Sequence, residues 1–144
     1  MKKEVEKKKN IYKIFNDIVL ENQILIFGST FTANFPFYEL SKKYLLSNAI
    51  YNRSIDMLTI RDAIKILDDC VFNAKPLKVF YCFGEEQENI NLYHELIHKT
   101  RVALPMSDIY VLSTPDAEEY NKAIRKISSD NNTYFIDIDY TKSY

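Results

Sequence analysis

Two hydroxyl side chains, Ser29 and Thr30, directly follow an apolar run and are the candidate nucleophiles of the sequence. A serine or threonine hydroxyl attacks an acyl carbon only when an adjacent base, most often a histidine, takes its proton. The two histidines of the chain, His94 and His98, lie on a later predicted helix, beyond the loop that would face Thr30. Ser29 and Thr30 are therefore interpreted first as residues that cap the following turn through hydrogen bonds to the backbone.

Metal binding is the second chemistry that the sequence offers, and we favour structural interpretations for both of its candidate clusters. His94 and His98 have the i, i+4 spacing of zinc ligands on a helix, but such a pair is common by chance, and a solvated or satisfied helix face is the favoured interpretation. Glu85, Glu86 and Glu88 stand at the start of a predicted helix, where acidic side chains interact favourably with the helix dipole. We therefore predict no metal site and no bound cofactor.

Glycine is scarce, and its two occurrences mark the segments where a site is expected. Average usage of about 7% would predict about ten glycines, but the chain has only Gly28 and Gly84. Each of them follows an apolar run and precedes polar residues. We predict that both glycines occupy positions where the backbone cannot accept a Cβ atom.

Composition excludes several classes of protein. With 144 residues and a formal charge of −1, the chain predicts one globular unit without the basic surface that nucleic acids or anionic membranes require. No apolar run approaches the ~18 residues of a membrane span. Cys70 and Cys82 lie in apolar stretches and are too few for a disulfide framework. We predict a cytoplasmic protein that binds neither nucleic acid nor membrane.

Short apolar runs alternate with amphipathic segments, which predicts an α/β fold: a three-layer sandwich around a five-stranded parallel sheet of flavodoxin-like topology. We predict a charged leader with an amphipathic helix over residues 1–22, its apolar face running from Ile11 to Val19, and the α/β domain over residues 23–144. Ligands of such sheets bind beyond the carboxyl ends of the strands. The predicted strands are Ile24–Phe27, Ala49–Tyr51, Leu77–Phe83, Asp108–Leu112 and Thr133–Ile138.

Three segments resemble, in order and spacing, the sequence blocks of the SGNH (GDSL-type) hydrolases. Ile24–Thr30 is similar to the first block, in which a strand ends in Gly-Asp-Ser. Asn48–Ile55 is similar to the second, of the Asn-Arg-Gly-Ile type, and Lys78–Gly84 is similar to the third, which continues Gly-x-Asn-Asp. The resemblance extends from Gln23 to Asp139 and implies the SGNH hydrolase fold.

The resemblance also implies roles for individual residues, and several of them depart from the family pattern. Thr30 stands at the nucleophile position, and Ser29 replaces the aspartate before it. Ser54 replaces the glycine of the second block, and Glu86 replaces the asparagine that donates to the oxyanion. The resemblance places the oxyanion and binding positions at Gly28, Asn52, Ser54, Gly84 and Glu86.

The family's Asp-x-x-His block, which supplies the general base, is not found before the chain stops at Tyr144. We therefore predict an SGNH-like domain that has lost ester hydrolysis and serves as a binding or assembly module for an unspecified small-molecule, acyl or glycan ligand. The first alternative is an active carboxylester or acyl hydrolase with a Thr or Ser nucleophile and a base supplied from elsewhere. The second is a flavodoxin-like FMN-binding protein, because Gly28–Asn34 resembles a flavodoxin phosphate loop.

A chain that stops at the fifth strand lacks the last helix of this architecture, so one apolar face of the sheet is expected to need a cover. We predict that the Ile11–Val19 helix, a second copy of the chain in a homodimer, or another partner chain covers it.

Overall fold

The protein folds around one parallel sheet with the predicted α/β architecture. The computed structural model describes residues 1–43 and 47–141. Its five strands lie in the order β2-β1-β3-β4-β5, the flavodoxin-like order, and every pair of neighbours is parallel. The strands are β1 (Ile24–Gly28), β2 (Ile50–Asn52), β3 (Lys78–Cys82), β4 (Asp108–Leu112) and β5 (Tyr134–Ile136).

Seven helices connect or flank these strands in the part of the chain that the structure describes. Because crossovers between parallel strands are right-handed, the helices after β1 lie on one face of the sheet and those after β2, β3 and β4 on the other. None of the described helices is long and apolar enough to cross a membrane. The helices are α1 (Lys3–Phe15), α2 (Thr30–Ala33), α3 (Phe37–Lys43), α4 (Ile60–Lys65), α5 (Leu67–Cys70), α6 (Ile90–Ala103) and α7 (Glu118–Asp130), with one 3₁₀ turn at Phe72–Ala74.

The core lies between the sheet and helices α4 to α7. Alternate residues of the three central strands point into it, and each of them is at most 1% exposed. Apolar side chains of α4 and α6, among them Ile60 and Leu96, cover them from the other side. This face is therefore closed. Its strand residues are Leu25, Phe27, Val79, Tyr81, Ile109 and Val111.

The first helix differs from its prediction. The charged start is part of the helix rather than a leader before it, since α1 begins at Lys3 and ends at Phe15. Lysine and glutamate are good helix formers, and Val5 and Tyr12, seven residues apart, form a buried stripe against α5. The predicted apolar face is largely outside, since Ile14 is 66% and Ile18 77% exposed.

The opposite face of the sheet carries an aromatic ladder, Phe80–Tyr110–Tyr134, with one ring from each of β3, β4 and β5. The residues are register partners, and their rings stack at centroid distances of 4.6 and 5.2 Å. Phe80 and Tyr110 are half-buried, and Tyr134 is 56% exposed. The prediction that the leading helix covers this face is wrong, because α1 packs on α5, which lies on the other side of the sheet.

Candidate functional site

The loops that follow β1, β2 and β3 meet at the carboxyl edge of the sheet, and both glycines stand where the chain is tightest. A Cβ atom on Gly28 would lie 2.2 Å from Thr32 Oγ1 and 2.6 Å from the carbonyl oxygen of Cys82. Gly84 has a φ of +96°, and its Cβ would lie 2.7 Å from the ring of Tyr120. The prediction that neither position accepts a Cβ atom is confirmed.

Ser29 and Thr30 lie at the turn from β1 into α2. Ser29 is buried, and its N–H donates to the carbonyl of Cys82 at 3.2 Å. Thr30 is half-buried, and its Oγ1 accepts a hydrogen bond from the N–H of Met57 at 3.0 Å. The Thr30 hydroxyl therefore ties α2 to the loop after β2.

The side chains of Asn52 and Ser54 bind α2. Asn52 Nδ2 donates to the carbonyl of Thr32 at 2.9 Å, and Ser54 Oγ donates to Thr32 Oγ1 at 2.8 Å. The Ser54 N–H donates to Asn52 Oδ1 at 3.1 Å. Asn52 and Ser54 therefore lie next to the segment that carries Thr30, and both side chains form hydrogen bonds that hold α2 in place.

Arg53, between these two residues, fastens the same loop to the N-terminal helix. It is 2% exposed, and its Nη1 donates to the carbonyls of Tyr12 and Cys70 at 3.4 and 3.5 Å. Its guanidinium carbon lies 4.9 Å from the centre of the Tyr12 ring, and the Tyr12 hydroxyl donates to the carbonyl of Ser54 at 3.3 Å. Burial lowers the pKa of Arg53. The loop after β2 is therefore held from both sides, by α1 and by α2.

Glu85, rather than Glu86, is the partly buried carboxylate of the loop after β3. The N–H of Gln87 donates to the carbonyl of Gly84 at 2.8 Å, and this turn leaves Glu86 exposed while Glu85 is half-buried. Burial raises the pKa of Glu85, and the backbone N–H groups of Phe31 and Thr30, which its carboxylate faces, oppose that rise. Its Oε1 is buried without a hydrogen-bond partner among the described residues.

Glu88, the third acidic residue of this segment, has a structural role. Its Oε2 accepts from the N–H of Ile60 at 2.7 Å, so that it caps the first turn of α4. Its carbonyl accepts from the hydroxyl of Tyr120 at 2.9 Å. Within residues 1–43 and 47–141, no group of three or more His, Cys, Asp or Glu side chains is placed to hold a metal ion.

The two histidines lie on the exposed side of α6, with ring centroids 6.1 Å apart. His98 Nδ1 lies 3.3 Å from Asn131 Oδ1. Asn131 is in the turn that precedes β5, at the edge of the sheet opposite the one where Thr30 lies. Sequence reasoning missed that Glu95 completes a His-Glu-x-x-His motif. Glu95 instead forms an ion pair with Lys99 at 3.4 Å.

Tyr140 is the site residue that sequence reasoning missed. It stands three residues after Asp137, so that the chain reads Asp-x-x-Tyr directly after β5. Its hydroxyl donates to the carbonyl of Ser113 and lies 3.7 Å from Cys82 Sγ. Its ring packs edge to face on Phe31, at 5.0 Å and 85°. The Asp-x-x-Tyr spacing after β5 was the available signal.

Glu85→Gln is expected to raise Tm at pH 7 and to leave it nearly unchanged at pH 4. Because burial raises the pKa of Glu85 in the folded state, ionisation weakens the fold as the pH rises above the ordinary value of 4.5. Asp56 and Glu86 raise that pKa further. Thermal unfolding followed by circular dichroism measures the difference, and Glu86→Gln removes the same charge from an exposed position. An equal gain in both variants would contradict a cost specific to Glu85.

Comparison with known proteins identifies the fold. No protein-family model matches the sequence, and neither does any curated protein sequence. A solved structure of a candidate platelet activating factor from Streptococcus pneumonia is similar with a TM-score of 0.79 and 20% identity, over 96% of this chain and 79% of that one.

Two further solved structures agree. The lipase/acylhydrolase from Enterococcus faecalis has a TM-score of 0.69 and 20% identity, over 81% of this chain and 75% of its own. A GDSL-like lipase from Bacteroides thetaiotaomicron has a TM-score of 0.68 and 14% identity, over 90% of this chain and 77% of its own. The chain therefore has the fold of the GDSL-like lipases and acylhydrolases, the SGNH hydrolase fold that its sequence blocks predicted.

Proposed function

We propose that this SGNH-hydrolase-like domain does not hydrolyse esters and serves as a binding or assembly module. The observation that carries the proposal is the half-buried carboxylate of Glu85, whose Oε1 has no hydrogen-bond partner among the described residues. Burial raises the pKa of this carboxyl, and the backbone N–H groups of Phe31 and Thr30 lie close enough to act in the opposite direction and lower it. Backbone N–H groups beside a nucleophile stabilise the negative charge that develops on the acyl oxygen. A carboxylate of the protein itself near these groups opposes that charge.

A carboxylate near the oxyanion donors, together with the loss of a base, is costly for catalysis. Removal of one oxyanion donor costs about 2.7–4 kcal/mol of transition-state stabilisation, and loss of a triad member leaves only about 10³–10⁴-fold acceleration over water. The Thr30 hydroxyl accepts from Met57, and His98 contacts Asn131 at the opposite edge of the sheet. Both observations support a site without an activated nucleophile.

We expect wild-type protein, Thr30→Ala and Thr30→Ser to hydrolyse a short-chain activated ester at the rate of buffer alone. The hydroxyl stays protonated at neutral pH without a base, so a serine in place of Thr30 gains nothing. Release of p-nitrophenol from p-nitrophenyl acetate measures the rate.

Ser29→Ala is the matched control, because it removes the neighbouring hydroxyl, which the structure buries. Wild-type turnover that persists in Ser29→Ala and disappears in Thr30→Ala would establish the alternative, an active hydrolase whose base comes from elsewhere.

The assembly role is supported by the aromatic ladder, which ends in an exposed ring. Its rings line up across three strands, and Tyr134 at its end is more than half exposed. Exposed apolar surface that is contiguous in this way marks interaction sites in soluble proteins. We propose that a second copy of the chain covers the ladder, since a symmetric dimer buries the same face of both copies.

Light scattering after size-exclusion chromatography is expected to give twice the 17.0 kDa of one chain. Tyr134→Asp should shift the protein to a monomer, because it buries a charge at the end of the ladder. Met106→Asp is the control, because Met106 is 90% exposed in the loop before β4 and outside the ladder. A wild-type protein that stays monomeric at 100 times the lowest concentration tested would rule out the dimer.

A further inference from the structure

The exposed side of α6 carries two imidazoles one helical turn apart. His94 and His98 have the i, i+4 spacing that puts two side chains on one face of a helix. Both side chains are exposed, and their ring centroids lie 6.1 Å apart. This spacing is common by chance, so by itself it predicts no metal site. The pair differs from a chance pair through a third residue, Asn131, which the fold brings to His98 from the end of α7.

Asn131 fixes the tautomer of His98. The Asn131 side chain is itself held in one orientation, since its Nδ2 donates to the carbonyl of Ile127 at 2.8 Å. Its Oδ1, which lies 3.3 Å from His98 Nδ1, can only accept a hydrogen bond. The proton of the neutral His98 imidazole is therefore on Nδ1. Nε2 of His98 thus carries the lone pair that a metal ion binds.

This arrangement is the one that metal-binding histidines adopt. A ligating imidazole usually donates its second ring N–H to a carboxylate, a carbonyl or a water, and this contact orients the ring and raises its basicity. The amide oxygen of Asn131 has that role for His98. The backbone N–H of Asn131 donates to the carbonyls of Ile127 and Ser128 at 3.2 Å each, which holds the residue at the end of α7. The acceptor is therefore in place before any metal ion binds.

The rest of this helix face leaves both imidazoles accessible. Glu95 and Lys99, which follow the two histidines in the sequence, form an ion pair with each other at 3.4 Å. A zinc ion lies about 2.0–2.1 Å from each ligating nitrogen, so the two rings must approach each other to share one ion. His94 is exposed, and rotation about its side-chain bonds can bring its ring to an ion bound by His98.

We propose that His94 and His98 bind one divalent transition-metal ion, each through one ring nitrogen, with water completing the coordination. Asn131 is the residue that positions His98. Imidazole suits Zn²⁺, Cu²⁺ and Ni²⁺, whereas Mg²⁺ and Ca²⁺ prefer oxygen ligands. The contact with Asn131, which the sequence pattern does not contain, is the reason to replace the structural interpretation of this pair. The site lies outside the residues of the proposed function, and its test is independent of ester hydrolysis.

Isothermal titration calorimetry with ZnCl₂ at neutral pH tests the site, with MgCl₂ as the control salt. We expect wild-type protein to bind one Zn²⁺ ion per chain and not to bind Mg²⁺. His94→Ala and His98→Ala should each lower the affinity for Zn²⁺ by about ten-fold or more, because a single imidazole cannot chelate the ion. Both side chains are exposed, so the variants should keep the wild-type Tm without metal. Absence of Zn²⁺ binding, or an affinity that neither substitution changes, would overturn the proposal.

Two variants of Asn131 separate a positioning role from a merely structural one. Asn131→Ala removes the acceptor of the Nδ1 proton and should weaken Zn²⁺ binding by about ten-fold, as the loss of such a contact usually does. Asn131→Asp keeps an oxygen acceptor for that proton but loses the donor to the Ile127 carbonyl. We expect Asn131→Asp to bind Zn²⁺ at least as tightly as the wild type. Equal affinities in the two Asn131 variants would overturn the positioning role.

Discussion

Gly28→Ala is expected to lower the free energy of unfolding by about 3 kcal/mol, the upper end of the usual cost of overpacking. The added Cβ would lie 2.2 Å from Thr32 Oγ1 and 2.6 Å from the backbone oxygen of Cys82. The oxygen belongs to a central strand and cannot move without displacing β3 from β1. For a domain of this size the loss corresponds to roughly 6–12 °C in Tm, measured by thermal unfolding.

The double variant Gly28→Ala/Thr32→Ala separates the two clashes. It removes the Thr32 hydroxyl from the path of the new Cβ but leaves the Cys82 carbonyl in place. We expect the double variant to be less stable than Thr32→Ala alone, by a smaller difference than that between Gly28→Ala and the wild type. A single Gly28→Ala variant with the Tm of the wild type would show that the end of β1 moves more freely than the structure implies.

Tyr81→Ala is expected to lower the free energy of unfolding by about 4 kcal/mol, as large aromatic truncations in a core do. Tyr81 is fully buried in β3 and packs edge to face on Phe27 at a centroid distance of 6.3 Å. Its hydroxyl forms a hydrogen bond of 2.6 Å with Thr100 Oγ1 on α6. The truncation therefore leaves a cavity between the sheet and α6 and removes the partner of a buried hydroxyl.

Two further variants separate packing from the hydrogen bond. Tyr81→Phe keeps the ring, and it should cost only about 1 kcal/mol. Tyr38→Ala removes the same side chain from a position that is 70% exposed and outside the ladder, and we expect a change below about 1 kcal/mol. Denaturant unfolding measures all three. A loss in Tyr81→Ala no greater than that in Tyr38→Ala would contradict a core centred on β3.

Most of the sheet could be predicted from the sequence because its strands are short apolar runs between breaks. The β4 bounds, Asp108–Leu112, agree with the prediction, and β1 differs only by the inclusion of Gly28. The two glycines were informative for the same reason, since a tight packing position excludes every other residue type. Local pattern therefore located both the strands and the loops of the candidate site.

The orientation of individual side chains could not be predicted in this way. Glu86 aligned with the oxyanion donor of the family, but the turn closed by Gln87 points Glu85 inward instead. Local pattern also could not predict which residues of α1 are buried. Val5 and Tyr12 are buried because α1 packs on α5. Such choices depend on contacts between segments distant in sequence, which periodicity does not encode.

The position of β1 between β2 and β3 has a consequence for synthesis on the ribosome. Gly28 pairs with Cys82, whose codon is translated 54 residues later. At translation rates of about 5–20 residues per second, one edge of β1 waits roughly 3–11 s for its partner. Until then the apolar strand Ile24–Gly28 has no partner on that edge. Complete pairing of β1 therefore waits for the synthesis of β3, although β1 is the first strand of the chain.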